Sequence, residues 1–170
     1  MKRIGFFGGS FDPIHFGHIA LAISLLEQHT LDEVLFCPAF CSPFKVDSPP
    51  RVDGKHRLKM LELALDYPKF RATSMEIDRG ATSYTIDTLK ALQKEGVQWK
   101  LLLSDETAKS LPQWKEAKEI VQIAEPLIGT KDLQISSTKI RHRLKKRLYC
   151  AHLIPSKVLD YIFANDLYSE

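Results

Sequence analysis

The sequence predicts an α/β fold with a doubly wound parallel sheet of five to six strands and helices on both faces. Short apolar segments alternate with longer segments whose apolar residues recur at helical spacing, and this order is typical of β–α–β units. The first short segment runs directly into a pair of glycines. With 170 residues, no internal repeat and no linker-like stretch, the chain is expected to form a single domain over residues 1–170.

The first part of the chain contains two predicted strands and one predicted helix. RIGFFGGSF (3–11) is apolar and ends on glycines, which indicates a buried strand. HIALAISLLEQHTL (18–31) has apolar residues at helical spacing, so a helix is expected to begin near Gly17. EVLFCPA (33–39) is a second buried strand. Residues 40–54 are rich in Pro, Ser and Asp, which predicts a long loop.

The middle of the chain continues the alternation. Residues 55–65 show an amphipathic helical pattern, and residues 70–79 are predicted as the third strand. Residues 83–96 are predicted as a helix that ends at Gly96, because glycine is favoured at helix C-termini. WKLLLS (99–104) is apolar and short, which predicts the fourth strand.

The last part of the chain adds three helices and one strand. Residues 111–124 are predicted as a helix, followed by a short fifth strand at 126–130. Residues 136–148 begin with hydroxyl side chains, which suit a helix N-cap. Residues 154–168 are predicted as the final helix, with Ser156 as its cap.

Charge and cysteine content limit the classes of partner and location. The net charge of +3 suits anionic small molecules and does not require nucleic acid. Cys37, Cys41 and Cys150 lack zinc-like spacing, so no metal site made of protein side chains is expected. Neither a signal peptide nor an apolar run of membrane-spanning length is present, which predicts a cytoplasmic protein with no membrane partner. The sequence indicates no oligomeric state.

GGSFDPIHFGH (8–18) is the first candidate phosphate site. Gly8 and Gly9 allow the backbone to turn tightly and approach a ligand. His15 and His18 lie at the predicted helix start, where free N–H groups and the helix dipole attract anions. An imidazole can donate to a phosphate oxygen, and a protonated imidazole adds charge. The spacing matches neither the dinucleotide fingerprint nor the P-loop.

ISSTKIR is the second candidate phosphate site. Ser136, Ser137 and Thr138 lie at a predicted helix start, and Arg141 follows one turn later. Hydroxyls, helix N–H groups and a guanidinium can together bind a pyrophosphate. Taken alone, the segment is more typical of a helix cap followed by a surface arginine, and its pairing with the first motif favours the phosphate site.

These two motifs, His-x-Gly-His and Ser-Ser-Thr-x-x-Arg, together resemble those of the nucleotidyltransferase superfamily. HRLKMLELAL, EIDRGATSYTIDTLKAL, LPQWKEAKEI and LIPSKVLDYIFANDLY are similar to segments of the bacterial nicotinate-nucleotide adenylyltransferases. The resemblance implies a Rossmann-like nucleotidyltransferase fold. It also implies transfer of the adenylyl group of ATP to nicotinate mononucleotide in NAD biosynthesis, with Mg²⁺ accompanying ATP and with neither a covalent intermediate nor a general base.

The resemblance also implies a role for each matching residue. His15, His18 and Arg141 become the catalytic contacts to the ATP phosphates, with His18 nearest the reacting α-phosphate. The implied ATP-binding set is Gly8, Gly9, Ser10, Phe11, His15, His18, Ser104, Glu106, Ser137, Thr138 and Arg141. The implied mononucleotide-binding set is Lys45, Tyr84, Thr85 and Trp114. Trp114 is expected to stack on the nicotinate ring, although such aromatic residues are as often part of a core.

The chain departs from the family pattern in three places. Ser104 and Glu106 stand where the family has glycine and aspartate, and a shift of one residue places Asp105 in the acidic position. Phe44, directly before Lys45 in the long loop of residues 40–54, stands where the family usually has a histidine. The segment between the fifth predicted strand and Ser136 is shorter than usual in the family.

Two other functions are compatible with the fold. A sister enzyme, such as a pantetheine-phosphate adenylyltransferase, usually has threonine where this chain has His15. A nucleotide-binding protein without turnover is expected to have damaged phosphate motifs, whereas both motifs are intact here.

Overall fold

The computed structural model describes residues 1–170, and its strands form one parallel sheet. The strand order is β3-β2-β1-β4-β5, and each of the four neighbouring pairs is parallel. The predicted α/β fold with a parallel sheet is confirmed, with five strands. These strands are β1 (Lys2–Gly9), β2 (Glu33–Pro38), β3 (Phe70–Ala72), β4 (Val97–Ser104) and β5 (Ala124–Gly129).

Helices connect and follow the strands. None of them combines the length and apolar composition that a bilayer crossing requires. Short 3₁₀ turns occupy Pro43–Lys45 and Leu111–Gln113. The α-helices are α1 (Phe16–Gln28), α2 (Gly54–Ala64), α3 (Met75–Arg79), α4 (Thr85–Leu92), α5 (Asp105–Ala108), α6 (Ala117–Ile123), α7 (Ser137–Lys145) and α8 (Ser156–Ala164).

The two faces of the sheet pack against different helices. Along β4, Leu102 points to one face and its neighbours Leu101 and Leu103 point to the other, as side chains alternate along a strand. The core on the Leu102 side includes buried residues from four helices, among them Leu25, Met60, Ile140 and Ile162. The core on the other side includes Ile86, Leu89 and Ile120 from α4 and α6. Both faces are therefore covered, as a doubly wound sheet requires.

The strand order locates the ligand-binding edge of the sheet. After β1 the chain adds β2 and β3 on one side, and it then crosses to add β4 and β5 on the other side. Ligands of such sheets bind beyond the carboxyl ends of the strands, where the order reverses. β1 ends there at Gly8 and Gly9, and the neighbouring β4 ends at Ser104. The predicted glycine turn therefore lies at the expected edge.

The third strand is much shorter than its prediction. Only Phe70–Ala72 pairs with β2, and residues 75–79 form the helical turn α3 instead of more strand. Gly80 closes this turn in a left-handed conformation with φ of 64°. The turn directs the Glu76 side chain inward, where it accepts a hydrogen bond from Thr88 Oγ1 at 2.7 Å. This long-range bond explains the departure from the strand pattern.

Three predictions about helices are also wrong: one C-terminal end, one uninterrupted helix and one N-cap. The helix of 83–96 ends at Leu92, and Gly96, with φ of 78°, is the last residue of the turn before β4. The helix of 111–124 is interrupted, because Trp114 is extended and Glu116 is left-handed with φ of 53°. Ser156 is the first residue of α8 and makes no capping bond with its side chain.

Two serines at helix starts provide a direct test of these assignments. Ser136 Oγ accepts the Lys139 N–H at 3.1 Å, so Ser136→Ala should lower the free energy of unfolding by about 1 kcal/mol. Ser156→Ala should change it by less than about 0.5 kcal/mol. Urea denaturation of both variants measures the difference. Equal losses in the two variants would contradict the observed cap positions.

Candidate active site

Two cavities open at the carboxyl edge of the sheet. The histidine cavity, of about 640 Å³, is lined by residues of both phosphate motifs. The aromatic cavity, of about 340 Å³, is lined by Phe44, Tyr84, Thr85 and Trp114 together with the Gly8–Gly9 turn. Ser10, Lys45 and Glu106 line both cavities. The two cavities therefore meet at these three residues.

The two histidines of the first motif cap α1 with their own side chains. His15 Nδ1 accepts the N–H groups of Gly17 at 3.0 Å and His18 at 3.4 Å. His18 Nδ1 accepts the N–H of His15 at 3.2 Å, which completes a reciprocal capping box. Because each Nδ1 is an acceptor, each neutral ring carries its proton on Nε2. Nε2–H is then the group left free to donate to a ligand.

The same bonds change the expected role of the helix start. The N–H of Phe16 donates to Leu153 O at 3.1 Å, and the next two N–H groups donate to His15 Nδ1. The prediction that free backbone N–H groups at the start of α1 bind an anion is therefore wrong. The Nε2–H groups of His15 and His18, and not the backbone N–H groups, are the donors available to an anion at this helix start.

Both imidazoles are held in the neutral form. Burial, reinforced by the nearby Lys131 charge, lowers the pKa of His15 to about 4. Burial and the neighbouring His15 also lower the pKa of His18 well below its ordinary value. The two rings stack at 3.7 Å between centroids, an arrangement that disfavours two positive charges. The option of a protonated imidazole at neutral pH is therefore not supported by the structure.

Gly17 is required by the packing of the first histidine. A Cβ atom at this position would lie 2.9 Å from both Cε1 and Nδ1 of the buried His15 ring. That distance is shorter than any normal contact, and the ring cannot move without losing its capping bonds. The glycine between the two histidines thus allows the cap to form.

The second motif docks directly on the first. Ser137 Oγ donates to Pro13 O at 2.9 Å, and Arg141 Nη1 donates to Asp12 O at 2.8 Å. Arg141 Nη2 also donates to Thr138 Oγ1 at 3.2 Å. These bonds place the start of α7 opposite the histidines. The N–H groups of Ser137 and Thr138 remain without an acceptor in the chain, so this helix start can bind an anion.

Asp12 is a site residue that the sequence did not single out. Its carboxylate is buried and accepts the Arg51 N–H at 2.7 Å and the Tyr168 hydroxyl at 2.6 Å. Burial and the Asp12 charge raise the pKa of Tyr168, so its hydroxyl remains a donor. Asp12 thereby joins the first motif, the long loop and the segment after α8. No local pattern marks this aspartate, because all its partners are distant in sequence.

Arg57 is the second residue that the sequence analysis missed. It is almost completely buried, although it lies in a helix whose pattern is amphipathic. Its guanidinium donates to Ser10 O at 2.7 Å, Val52 O at 3.0 Å and Phe40 O at 3.4 Å. Burial lowers its pKa, and the charge of Asp12 opposes that effect. Arg57 therefore holds together the two loops that border both cavities.

The aromatic cavity is shaped by two aromatic residues and a hydroxyl. Trp114 Nε1 donates to Ser110 Oγ at 3.0 Å, which fixes the indole. The Phe44 ring lies 6.5 Å from Trp114 between centroids and is more than half exposed. Phe44, which replaces the usual histidine, thus adds a second ring to this cavity. Trp114 is only partly buried and lines the cavity, as the prediction of a stacking residue requires.

Ser104 and Glu106, which stand where the family has glycine and aspartate, have different positions at the end of β4. Ser104 is buried and lines neither cavity, because its hydroxyl caps α5 by accepting the Thr107 N–H at 3.1 Å. Glu106 lines both cavities, and its Oε2 pairs with Lys131 Nζ at 2.6 Å. The hydrogen bond from Lys131, together with the charge of its ammonium group, lowers the pKa of Glu106. The shortened segment before α7 therefore supplies a lysine that lines the histidine cavity and pairs with Glu106.

The other predicted residues are brought together as expected. Lys45 Nζ lies 3.4 Å from Ser10 Oγ at the junction of the cavities. Except for Ser104, every predicted residue lines at least one cavity: Gly8, Gly9, Ser10, Phe11, His15, His18, Lys45, Tyr84, Thr85, Glu106, Trp114, Ser137, Thr138 and Arg141.

The lowered histidine pKa values predict a stability that depends on pH. Between pH 6.5 and about 4 the unfolded chain binds protons that folded His15 does not. Stability should therefore fall as pH drops through this window, by about 1.4 kcal/mol per pH unit for each histidine. Urea unfolding at pH 7, 6 and 5 measures this slope. His15→Asn, which keeps a capping acceptor, should reduce the slope, and an unchanged slope would contradict the neutral assignment.

Comparisons with known proteins agree with this geometry. The family model described as Cytidylyltransferase-like matches residues 6–143. The nicotinate-nucleotide adenylyltransferase of Bacillus subtilis is 34% identical, with 99% of each chain covered. A protein of Methylacidiphilum infernorum named as a probable nicotinate-nucleotide adenylyltransferase is 35% identical, covering 98% of this chain and 92% of the relative.

Solved structures show the same fold. The nicotinic acid mononucleotide adenylyltransferase of Plasmodium falciparum complexed with NaAD superposes with a TM-score of 0.76. The match covers 99% of this chain and 98% of the other, at 18% identity. The agreement in fold, together with the relatives above 30% identity over the whole chain, leads to one assignment. This chain belongs to the cytidylyltransferase-like family and, within it, to the nicotinate-nucleotide adenylyltransferases.

Proposed function

We propose that this chain transfers the adenylyl group of ATP to nicotinate mononucleotide. The phosphate of the mononucleotide attacks the α-phosphorus of ATP, the bond to the β-phosphate breaks, and pyrophosphate leaves. The product is nicotinate adenine dinucleotide, an intermediate of NAD biosynthesis. The relatives' names support this reaction, and neither the sister enzyme nor a binding protein without turnover has a comparable observation in its favour.

The observation that carries the proposal is the junction of the two cavities. One cavity presents neutral donors and a helix start suited to a polyphosphate, and the other presents aromatic rings suited to a pyridine. They meet at Ser10, Lys45 and Glu106, where the reacting phosphates of two bound substrates would face each other. Holding two reactants in line in this way is a major source of rate enhancement.

The histidines act by hydrogen bonding and not by proton transfer. The attacking phosphate is already anionic, so no base is needed to activate it. Their Nε2–H groups are fixed by the capping bonds at Nδ1 and therefore need no reorganisation when charge builds on the α-phosphate. The free N–H groups of Ser137 and Thr138, with Arg141, suit the β- and γ-phosphates on the opposite wall.

Magnesium enters this proposal through the nucleotide. No group of three or more His, Cys, Asp or Glu side chains is placed to hold a metal ion. The carboxylate of Asp12 is occupied by Arg51 and Tyr168, and that of Glu106 is paired with Lys131. Because both carboxylates already have partners, the site fits a magnesium ion whose ligands are phosphate oxygens and water. Bound in that way, it supplies neutralising charge for the leaving pyrophosphate.

Pyrophosphate release tests the reaction itself. Purified protein is incubated with ATP, Mg²⁺ and nicotinate mononucleotide, and both pyrophosphate and nicotinate adenine dinucleotide are measured. We expect the two products in equal amounts, with none when the mononucleotide is omitted. Pyrophosphate formed with phosphopantetheine but not with nicotinate mononucleotide would favour the sister enzyme and reject the proposal.

His18 provides the sharpest test of the catalytic arrangement. His18→Ala should lower kcat by about a hundredfold or more, because a donor to the transition state is lost. His18→Asn retains an acceptor for the His15 N–H but lacks the Nε2 donor, so it should fold normally and lose a similar factor. Thermal unfolding of both variants separates folding from catalysis. If folded His18→Asn loses less than about fivefold, His18 is not a catalytic contact.

A further inference from the structure

The chain returns to the first phosphate motif after its last helix. Beyond α8 the backbone turns back, and the Leu167 N–H donates to Ile162 O at 3.0 Å. The next residue, Tyr168, has a left-handed backbone with φ of 62°. This conformation is unfavourable for a bulky residue, so the contacts around Tyr168 must hold it in place. One of these contacts is the 2.6 Å bond from its hydroxyl to Asp12.

A third cavity, the tail cavity, adjoins the second phosphate motif. Its volume is about 700 Å³, and it is lined by the C-terminal residues 166–170 together with Arg51 and other residues of the long loop and α2. Thr138 and Arg141 line both the tail cavity and the histidine cavity. The Arg141 guanidinium therefore has open space on two sides. In the proposed function only the side of the histidine cavity holds ATP.

The buried Asp12 carboxylate receives its hydrogen bonds from uncharged donors. Its Oδ2 accepts the Arg51 N–H, and its Oδ1 accepts the Tyr168 hydroxyl. Arg141 Nη1 lies 3.9 Å from Oδ2, beyond hydrogen-bond distance, and donates to the backbone carbonyl of Asp12 instead. Arg57, whose charge also interacts with Asp12, is held by three loop carbonyls. Arg141 is therefore the cation that can respond when the carboxylate loses a donor.

We propose that Tyr168 is a positioning residue that keeps Arg141 available to the phosphates of ATP. This inference rests on the proposed function, in which Arg141 contacts the β- and γ-phosphates. Without the Tyr168 hydroxyl, one oxygen of the buried Asp12 carboxylate has no donor, which is costly. A guanidinium bonds more strongly to a carboxylate than to a backbone carbonyl, so Arg141 turns to that oxygen and away from ATP. Tyr168 itself lines neither the histidine cavity nor the aromatic cavity.

Withdrawal of Arg141 has a kinetic signature that general loosening of the turn does not share. The apparent affinity for ATP falls in proportion to the fraction of molecules that have the arginine in place. Bound ATP draws the guanidinium back, so kcat recovers when ATP is saturating. The KM for the mononucleotide, which is expected in the aromatic cavity, stays the same. A loosened turn would instead misplace the histidines as well and lower kcat.

The test removes one hydroxyl and keeps the ring. Tyr168→Phe should raise the KM for ATP about tenfold, with kcat within about threefold and the KM for nicotinate mononucleotide within about twofold of the unchanged protein. Tyr161→Phe is the matched control, because it removes another hydroxyl of the C-terminal region, which lies 2.8 Å from His56 Nδ1. Tyr161 lines none of the three cavities, so this variant should leave the KM for ATP unchanged. Thermal unfolding shows whether both variants are folded.

Two results with the folded Tyr168→Phe variant would overturn the inference. One is a KM for ATP within about twofold of the unchanged protein. The other is a loss that persists in kcat at saturating ATP, or that affects both substrates equally, because either indicates a structural role.

A double-variant cycle tests whether Tyr168 acts through Arg141. Arg141→Met removes the guanidinium and should weaken ATP binding by itself. When Tyr168→Phe is added to Arg141→Met, the binding of ATP should weaken by less than about a further twofold, because the group that Tyr168 positions is already absent. If the two effects multiply instead, Tyr168 acts by another route and the inference is rejected.

Failure of the reaction itself is distinguishable from failure of this inference. If the unchanged protein forms no nicotinate adenine dinucleotide, the proposed function is rejected. Calorimetric titration of ATP with Mg²⁺ into the unchanged protein and into Tyr168→Phe then tests the tyrosine alone. Binding that is about tenfold weaker in Tyr168→Phe supports the inference, and equal binding in the two proteins rejects it.

Discussion

The docking of α7 on the turn after β1 is the interaction on which the site depends. Two backbone carbonyls, those of Asp12 and Pro13, accept side-chain bonds from Arg141 and Ser137. Without these bonds the histidines and the second phosphate motif would be separate features of two distant segments. The buried Asp12 carboxylate fixes the same turn from its other side through Arg51 and Tyr168. The turn is thus held by bonds from three directions before any ligand arrives.

Capping of α1 and recognition of phosphate are two uses of the same pair of imidazoles. One nitrogen of each ring is committed to the backbone, and this commitment orients the other nitrogen toward the cavity. Burial keeps both rings neutral, so their contribution is a fixed dipole and not a mobile charge. A substitution at either histidine therefore disturbs a helix start as well as a ligand contact. Gly17 belongs to the same unit, because any side chain there would collide with His15.

The sequence was most informative where the determining contacts are local. Alternating apolar segments and glycine-rich turns predicted the sheet, and the resemblance to the nucleotidyltransferase motifs implied which residues line the cavities. Several of the failures involve contacts between distant segments. Glu76 turns residues 75–79 into a helix by bonding to Thr88, and Arg57 is buried because three loop carbonyls converge on it. The partner of Glu106, Lys131, lies in the shortened segment that sequence comparison had only identified as unusual.

The separation of the two phosphate motifs also affects how the molecule folds. The bonds that join them connect residues that are 124 and 129 positions apart in the chain. All five strands precede α7, because β5, the last strand, ends at Gly129. The sheet and its central crossovers can therefore form before the loop between the motifs is closed. Closing so long a loop carries an entropic cost, and the sheet reduces this cost by fixing the orientation of both ends. The site is therefore complete only when the segment after β5 has docked on the turn that follows β1.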